Sequence, residues 1–205
     1  MNRINKIALI GCENSGSRKL FEAITYRYWR CEYMMVFTDG LYYKKSFMAS
    51  VIKVLKEASW LFIFVRFYEV MIYRIKGDTI TKKCKQLDIP FIHTKDINSE
   101  QILEKVREFA PDIIVSLYTM QIYKNGILSI PIYGAINSHP AKLPEYRGLE
   151  VFFWQMANSE KETAVSVFYL TDKVDVGEVI EQETVPILDT YSMQNLYDVI
   201  TEVAG

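Results

Sequence analysis

The sequence predicts an α/β protein: a mostly parallel sheet with helices on both faces and a β-hairpin late in the chain. Three observations carry this. Short apolar runs of strand length alternate with stretches of helical spacing through the first two thirds of the chain. Those runs are apolar throughout, as strands covered on both faces require. Two later segments alternate cleanly instead, with an Asp-x-Gly turn between them.

In order, Ile4 to Ile10 reads as the first strand. Gly11 to Ser17 follows as a loop, and Arg18 to Tyr28 shows helical spacing through Leu20, Phe21, Ile24 and Tyr28. A strand, a Gly/Ser loop and a helix is an arrangement whose backbone N–H groups can hold an anion. The loop is neither GxGxxG nor a Walker loop. A plain N-cap by Ser15 or Ser17 is the other reading, and both stay open. Tyr33 to Phe37 is the second strand. Leu41 to Lys76 is dense in aromatics and carries seven Lys/Arg against two Glu. Its spacing predicts a helical insertion over residues 41–76, apolar all round near Trp60 to Val65 and so buried there. It packs on its own domain, lies on a membrane surface as a peripheral contact, or pairs two subunits into a homodimer.

Asp78 to Leu87 reads as a helix capped by Thr79 or Asp78, and Pro90 to Ile92 as a third strand. His93, just beyond it, is read as structural. Asn98 or Ser99 caps a helix through Phe109, with Ile102, Leu103, Val106 and Phe109 on one face. Asp112 to Leu117 is a fourth strand, Ile122 to Leu128 a short helix, and Ile132 to Asn137 a fifth strand. Leu149 to Asn158 is helical, Thr163 to Leu170 and Glu178 to Val185 form the hairpin, and Thr190 or Ser192 starts a last helix to about Val203. The sum is a Rossmann-like sheet in one domain over residues 1–205.

Half the residues are hydrophobic, and no run of 18 uncharged apolar residues spans a membrane. Three cysteines without metal spacing point to a reduced, cytoplasmic protein. The net charge of −1 hides an asymmetry: residues 1–95 hold 17 Lys+Arg and 8 Asp+Glu, while residues 96–205 hold 7 and 17. The basic half suits an anionic partner, such as a phosphorylated substrate or a membrane, or simply attracts the acidic half. The mild overall charge argues against a primary nucleic-acid binder.

The chemistry concentrates in YGAINSHPAKLPEYRG, residues 133–148. An amide (Asn137) and an imidazole (His139) stand at a strand end, held by a stiff loop with Pro140 and Pro144. Asp175, in Val174-Asp175-Val176-Gly177-Glu178, follows His139 by 36 positions. Asn137 could merely cap a turn, and Asp175 to Gly177 could merely be hairpin chemistry.

These motifs together resemble the 10-formyltetrahydrofolate-dependent formyltransferases, the family of the methionyl-tRNA, amino-sugar and glycinamide ribonucleotide enzymes. The residues that carry it are Asn137-x-His139-Pro140, Leu143-Pro144, Tyr146-Arg147-Gly148 and the Asp175 turn. The resemblance runs from the Gly11 loop to the last helix, and residues 41–76 have no counterpart in it. It implies formyl transfer to a primary amine with 10-formyltetrahydrofolate as co-substrate and no metal. It implies that Asn137 donates to the oxyanion, that His139 carries the proton and that Asp175 orients it or holds a relaying water. It places the pterin between Tyr118-Thr119-Met120 and the turn from Asp172 to Asp175. Gly16-Ser17-Arg18 resembles a phosphate loop of the glycinamide ribonucleotide members with Arg18 in place of Asn, and Tyr146, Arg147 and Gly148 are the further substrate-binding candidates.

Tyr146-Arg147-Gly148 is more similar to the methionyl-tRNA and amino-sugar members. The tRNA enzymes carry an added C-terminal β domain, whereas this sequence stops at Gly205. The expectation is therefore a small amine, foremost an amino sugar, phosphorylated or carried on a nucleotide or lipid. The alternatives are a methionyl-tRNA-type catalytic domain lacking its C-terminal domain, a formyltetrahydrofolate hydrolase, and a non-catalytic folate-binding domain.

Overall fold

The computed structural model describes residues 3–38 and 79–204, so the insertion expected at 41–76, with its membrane and dimer contacts, lies outside the described residues. The described elements are β1 (Lys6–Gly11), α1 (Ser15–Arg27), β2 (Glu32–Thr38), α2 (Ile80–Gln86), β3 (Phe91–Thr94), α3 (Glu100–Phe109) and β4 (Ile113–Leu117). They continue with α4 (Asn125–Leu128), β5 (Ala135–His139), α5 (Val151–Ala157), β6 (Glu162–Tyr169), β7 (Val179–Pro186) and α6 (Met193–Val203). The strands form one seven-stranded sheet in the order β3-β2-β1-β4-β5-β6-β7. β1 to β5 are parallel, and β6 runs antiparallel to both β5 and β7.

Two apolar layers explain why the early strands do not alternate. Ala8, Ile10, Met34, Val36 and Ile114 pack on one face with Ile102 and Val106 of α3. Ile7, Leu9, Met35 and Phe37 point the other way, onto Leu20 and Phe21 of α1 and Ile80 of α2. Successive residues thus serve opposite faces, and both faces are dry. Each fully buried side chain of this size contributes roughly 1.5–3 kcal/mol. A third cluster, Val165, Val185, Ile187, Leu196 and Ile200, seats α6 on the hairpin.

Several expected elements shift; β3, for one, runs on to Thr94 and takes in His93. α1 begins at Ser15, three residues early, because Asn14 caps it by accepting from the Ser17 N–H at 2.8 Å; neither Ser15 nor Ser17 is the cap. The short helix expected from Ile122 contracts to α4. The fifth strand starts at Ala135 rather than Ile132, because Gly134 sits at φ +78°, and it runs on to His139, because β6 pairs with it that far. His139 therefore belongs to the strand, as Asn137 does, and not to the loop after it.

The entries of β1 and β4 are tied by one carboxylate. Asp112 Oδ2 accepts from the Asn5 and Lys6 N–H groups at 2.7 and 2.9 Å. Those two backbone donors, foremost, hold its carboxyl below its ordinary value of 3.8. A lowered folded value means the contribution is present above 3.8 and is lost as pH falls below it. Asp112→Ala should thus lower the urea midpoint at neutral pH, with the gap to the wild type narrowing as pH drops below that value. Urea unfolding across a pH series measures both.

Candidate active site

The site forms where the sheet changes direction. β5 has a parallel neighbour on one side and an antiparallel one on the other; Ile136 and Asn137 pair with both, and Ser138 and His139 with β6 alone. Asn137 is in register with Ser116 of β4 and Phe168 of β6, and His139 with Ser166 of β6. The chain then leaves the sheet at Pro140, which cannot donate to a ladder.

His139 is 5% exposed, and both ring nitrogens face oxygen. Nε2 lies 2.8 Å from the Tyr146 carbonyl. A carbonyl only accepts, so this contact places the proton on Nε2. Nδ1 lies 3.5 Å from Asp175 Oδ2. The same Asp175 oxygen accepts from the Gly148 N–H at 2.8 Å. One segment, residues 146–148, therefore holds the imidazole by a carbonyl and the carboxylate by an amide.

The backbone around this contact is unusual. Tyr146 and Asp175 adopt φ of +51° and +50°, and Gly148 lies at +89°. Left-handed non-glycine residues cost about 1–3 kcal/mol each and persist where the surroundings dictate them. A Cβ at Gly177 would run into the Tyr169 carbonyl, so the turn bearing Asp175 folds back onto β6 only with glycine there. Asn137 supplies the other signal: its Oδ1 is buried with no hydrogen-bond partner among the described residues. An orphaned buried acceptor costs about 1–3 kcal/mol, which a ligand donor would recover.

The remaining candidates divide. Tyr118 (φ +51°) follows β4, and its ring packs toward Gly16; burial pushes its phenol up, partly offset by the Ser138 hydroxyl. Thr119 Oγ1 lies 3.1 Å from Thr38 Oγ1, and Met120 is 37% exposed beside them. Asp172 is exposed on the turn leading to Asp175. Arg147 is exposed. Tyr146 turns its side chain away from His139: its hydroxyl donates to Glu160 at 2.6 Å and accepts from Asn158 at 2.9 Å, and the Glu160 carboxylate pushes the phenol up.

The Gly16 loop is built inward. The Ser17 N–H is taken by Asn14, and its hydroxyl donates to the Leu117 carbonyl at 2.7 Å. Gly16 lies under the hydroxyl of Tyr197, and Arg18 pairs with Glu22 at 2.9 Å. At this loop the Ser17 N–H, the Ser17 hydroxyl and the Arg18 guanidinium thus have partners within the protein.

Ser166, Gln155 and Gln182 hold the loop after His139 and were missed. A cavity of about 480 Å³ lies at the opposite, N-terminal edge of the strands, between Trp29, Tyr33, Leu87 and Phe109, and no candidate residue lines it. Among the described residues, no group of three or more His, Cys, Asp or Glu side chains is placed to hold a metal.

A Rossmann-like sheet with an Asn, a His and an Asp at its direction switch carries groups that acyl transfer uses, an amide donor and a proton carrier with a carboxylate beside it. Residues 45–205 match the formyl transferase family, and the chain belongs to it. The match starts at residue 45, so it takes in most of the 41–76 segment that had no counterpart in the sequence resemblance.

Relatives include the methionyl-tRNA formyltransferase of Halalkalibacterium halodurans, 36% identical over 57% of this chain and 37% of that protein. The bifunctional polymyxin resistance protein ArnA of Wigglesworthia glossinidia brevipalpis is 34% identical over 60% of this chain and 19% of its own length. The chain thus spans well under half of these relatives. In fold it is similar to glycinamide ribonucleotide transformylase 1 from Geobacillus kaustophilus (TM-score 0.69, 18% identity, 98% of this chain and 93% of that one). It is also similar in fold to a sugar N-formyltransferase from Shewanella sp FDAARGOS_354 (TM-score 0.61, 16% identity, 97% and 65%).

Gly177→Ala should destabilise the fold by about 1–3 kcal/mol, since overpacking against fixed backbone is not relieved by rotamer change. Urea denaturation reads the loss, and an unchanged midpoint would mean that the turn closes differently.

Proposed function

We propose that the chain transfers a formyl group from 10-formyltetrahydrofolate to a primary amine, and that the amine is an amino sugar carried on a nucleotide or lipid. The observation that carries the reading is the buried His139 ring held between the Tyr146 carbonyl and Asp175, beside the unpartnered Asn137 amide oxygen. Family membership supplies the reaction class.

The co-substrate would bring an activated formyl carbon on nitrogen. Asn137 Oδ1 would accept from the incoming amine, and its NH₂ would donate to the oxyanion that develops. Because Nε2 of His139 is tied to Tyr146, Nδ1 is the position that takes a proton from the attacking nitrogen and returns it to the departing one. Asp175 would stabilise the protonated ring, and the Gly148 N–H keeps its carboxylate aimed there. We place the pterin between Tyr118–Met120 and Asp172–Asp175, where Met120 and Val174, 37% and 51% exposed, offer apolar walls.

The inward-built Gly16 loop supports an acceptor other than one held by a phosphate at α1, and the exposed Arg147 is a basic group beside the site. We assign residues 1–205 to one catalytic unit. The three free cysteines accord with a reducing, cytoplasmic setting. No helix among the described residues is long and apolar enough to cross a membrane.

Tetrahydrofolate release tests the reading, with no amine, a nucleotide-linked amino sugar, methionyl-tRNA and glycinamide ribonucleotide as separate arms. Release with the amino sugar alone is expected. Release without amine would make the chain a hydrolase, and formylation of methionyl-tRNA alone would move the acceptor. His139→Ala should lower turnover at least about 10²-fold, the size of a general acid–base contribution. A fully active variant would place proton transfer elsewhere.

A further inference from the structure

Between His139 and Tyr146 the chain makes an excursion that belongs to no strand or helix, with Ala141 and Leu143 buried in it. Pro140 and Pro144 have no N–H, so the segment cannot satisfy itself by ladder pairing. Three side chains from three elements supply its hydrogen bonds instead. Gln155 of α5, 1% exposed, donates Nε2 to the Pro140 carbonyl at 3.2 Å. Ser166 of β6, fully buried, donates its hydroxyl to the Ala141 carbonyl and accepts from the Leu143 N–H at 3.2 Å. Gln182 of β7 donates one amide hydrogen to the Leu143 carbonyl at 2.8 Å and the other to Ser166 Oγ at 2.9 Å. The Ser166 hydroxyl is thereby saturated, with one donation and two acceptances. Its register partner across the hairpin is Gln182 itself.

We propose that Gln182 and Ser166 form a positioning pair for the reaction: they fix the 140–144 excursion, and through it the Tyr146 carbonyl that orients His139. Neither residue touches the reacting atoms. The excursion is the only short covalent route between His139 and Tyr146, and its carbonyls at 140, 141 and 143 are each pinned once. Among the described residues no backbone–backbone bond ties the 140–146 segment to the rest of the protein. Its far end is held by the Tyr146 hydroxyl on Glu160 and Asn158, so releasing one pin lets the Tyr146 carbonyl move relative to the ring. The one backbone bond the segment makes, from the Glu145 N–H to the Lys142 carbonyl at 3.0 Å, is internal. The clamp spans both strands of the hairpin that also bears the Asp175 turn. Loop, imidazole and carboxylate are therefore referenced to the same two strands.

The inference rests on the reading of His139 as the proton carrier, so its test has an arm that does not depend on turnover. The chain has two histidines. His93 stacks on Phe37 at 4.8 Å on the far side of the sheet and serves as an internal reference. In ¹⁵N-labelled full-length protein, the His139 Nε2–H should appear as a protected imidazole resonance. Gln182→Met keeps side-chain length and removes both donated bonds. It is expected to shift that resonance and speed its exchange with solvent, to leave His93 unchanged, and to lower kcat about tenfold with KM within about twofold, the mark of misplacement rather than lost binding. Gln182→Glu, which removes the donors but keeps the shape, should behave alike. Gln155→Met should reproduce the effect through Pro140 should β7 variants fail to fold.

An unchanged His139 resonance in folded Gln182→Met overturns the proposal. So does a fall in kcat with that resonance intact, because Gln182 would then act by another route. If the wild type releases no tetrahydrofolate, the functional reading falls. The resonance shift then still decides whether the clamp orients His139.

Discussion

The hydrogen bond between the Tyr146 carbonyl and His139 Nε2 is the contact on which the rest of the site depends. A backbone carbonyl cannot titrate or change its donor sense, so it selects one nitrogen of the ring without competing for its proton. That leaves a single imidazole edge for chemistry, turned toward a carboxylate itself held by a backbone amide. Both restraints are main-chain groups of one short segment. The reactive geometry is thus encoded by the course of the backbone through residues 146–148 rather than by side-chain identity there.

That course explains the clustering of backbone conformations near the site. Tyr118, Tyr146 and Asp175 all lie at positive φ, Tyr118 directly after β4 and Asp175 in the hairpin turn, and Glu150 does so at the start of α5. Their cost is offset by the packing of a sheet whose two faces are both dry. The hairpin contributes twice, closing the Asp175 turn over Gly177 and anchoring the loop after His139.

The fold was legible because its parallel strands are apolar on both faces and its helices present a single apolar stripe, as Ile102, Leu103 and Val106 do in α3. Asn137, His139 and Asp175 were legible because distant motifs stood at a recognisable separation. What could not be read was local. That Asn14 rather than a serine caps α1 depends on which side chain reaches Ser17, and sequence offered several. That β5 continues through His139 depends on a partner strand some thirty residues later. Tyr146 and Gly148 are read from the sequence as substrate contacts; that their main-chain atoms also meet His139 and Asp175 was not legible, because side-chain motifs are silent about main-chain atoms. The roles of Ser166, Gln155 and Gln182 arise from the folded path of a proline-bearing loop and have no periodic signature.

The hydroxyl of Tyr197 above Gly16 has a consequence for how such a scaffold could change its acceptor. Tyr197 belongs to α6, whose Asp198 also reaches Lys19 of α1 at 3.6 Å and whose ring meets Phe152 of α5 edge-on at 5.8 Å. The last helix is thereby a stopper in the mouth of the first. Grafting a phosphate-binding loop onto residues 11–18 would leave that mouth plugged. Substitution of Tyr197 would clear its hydroxyl from Gly16, but the helix itself stays docked, because it also closes the hairpin core around Leu196 and Ile200.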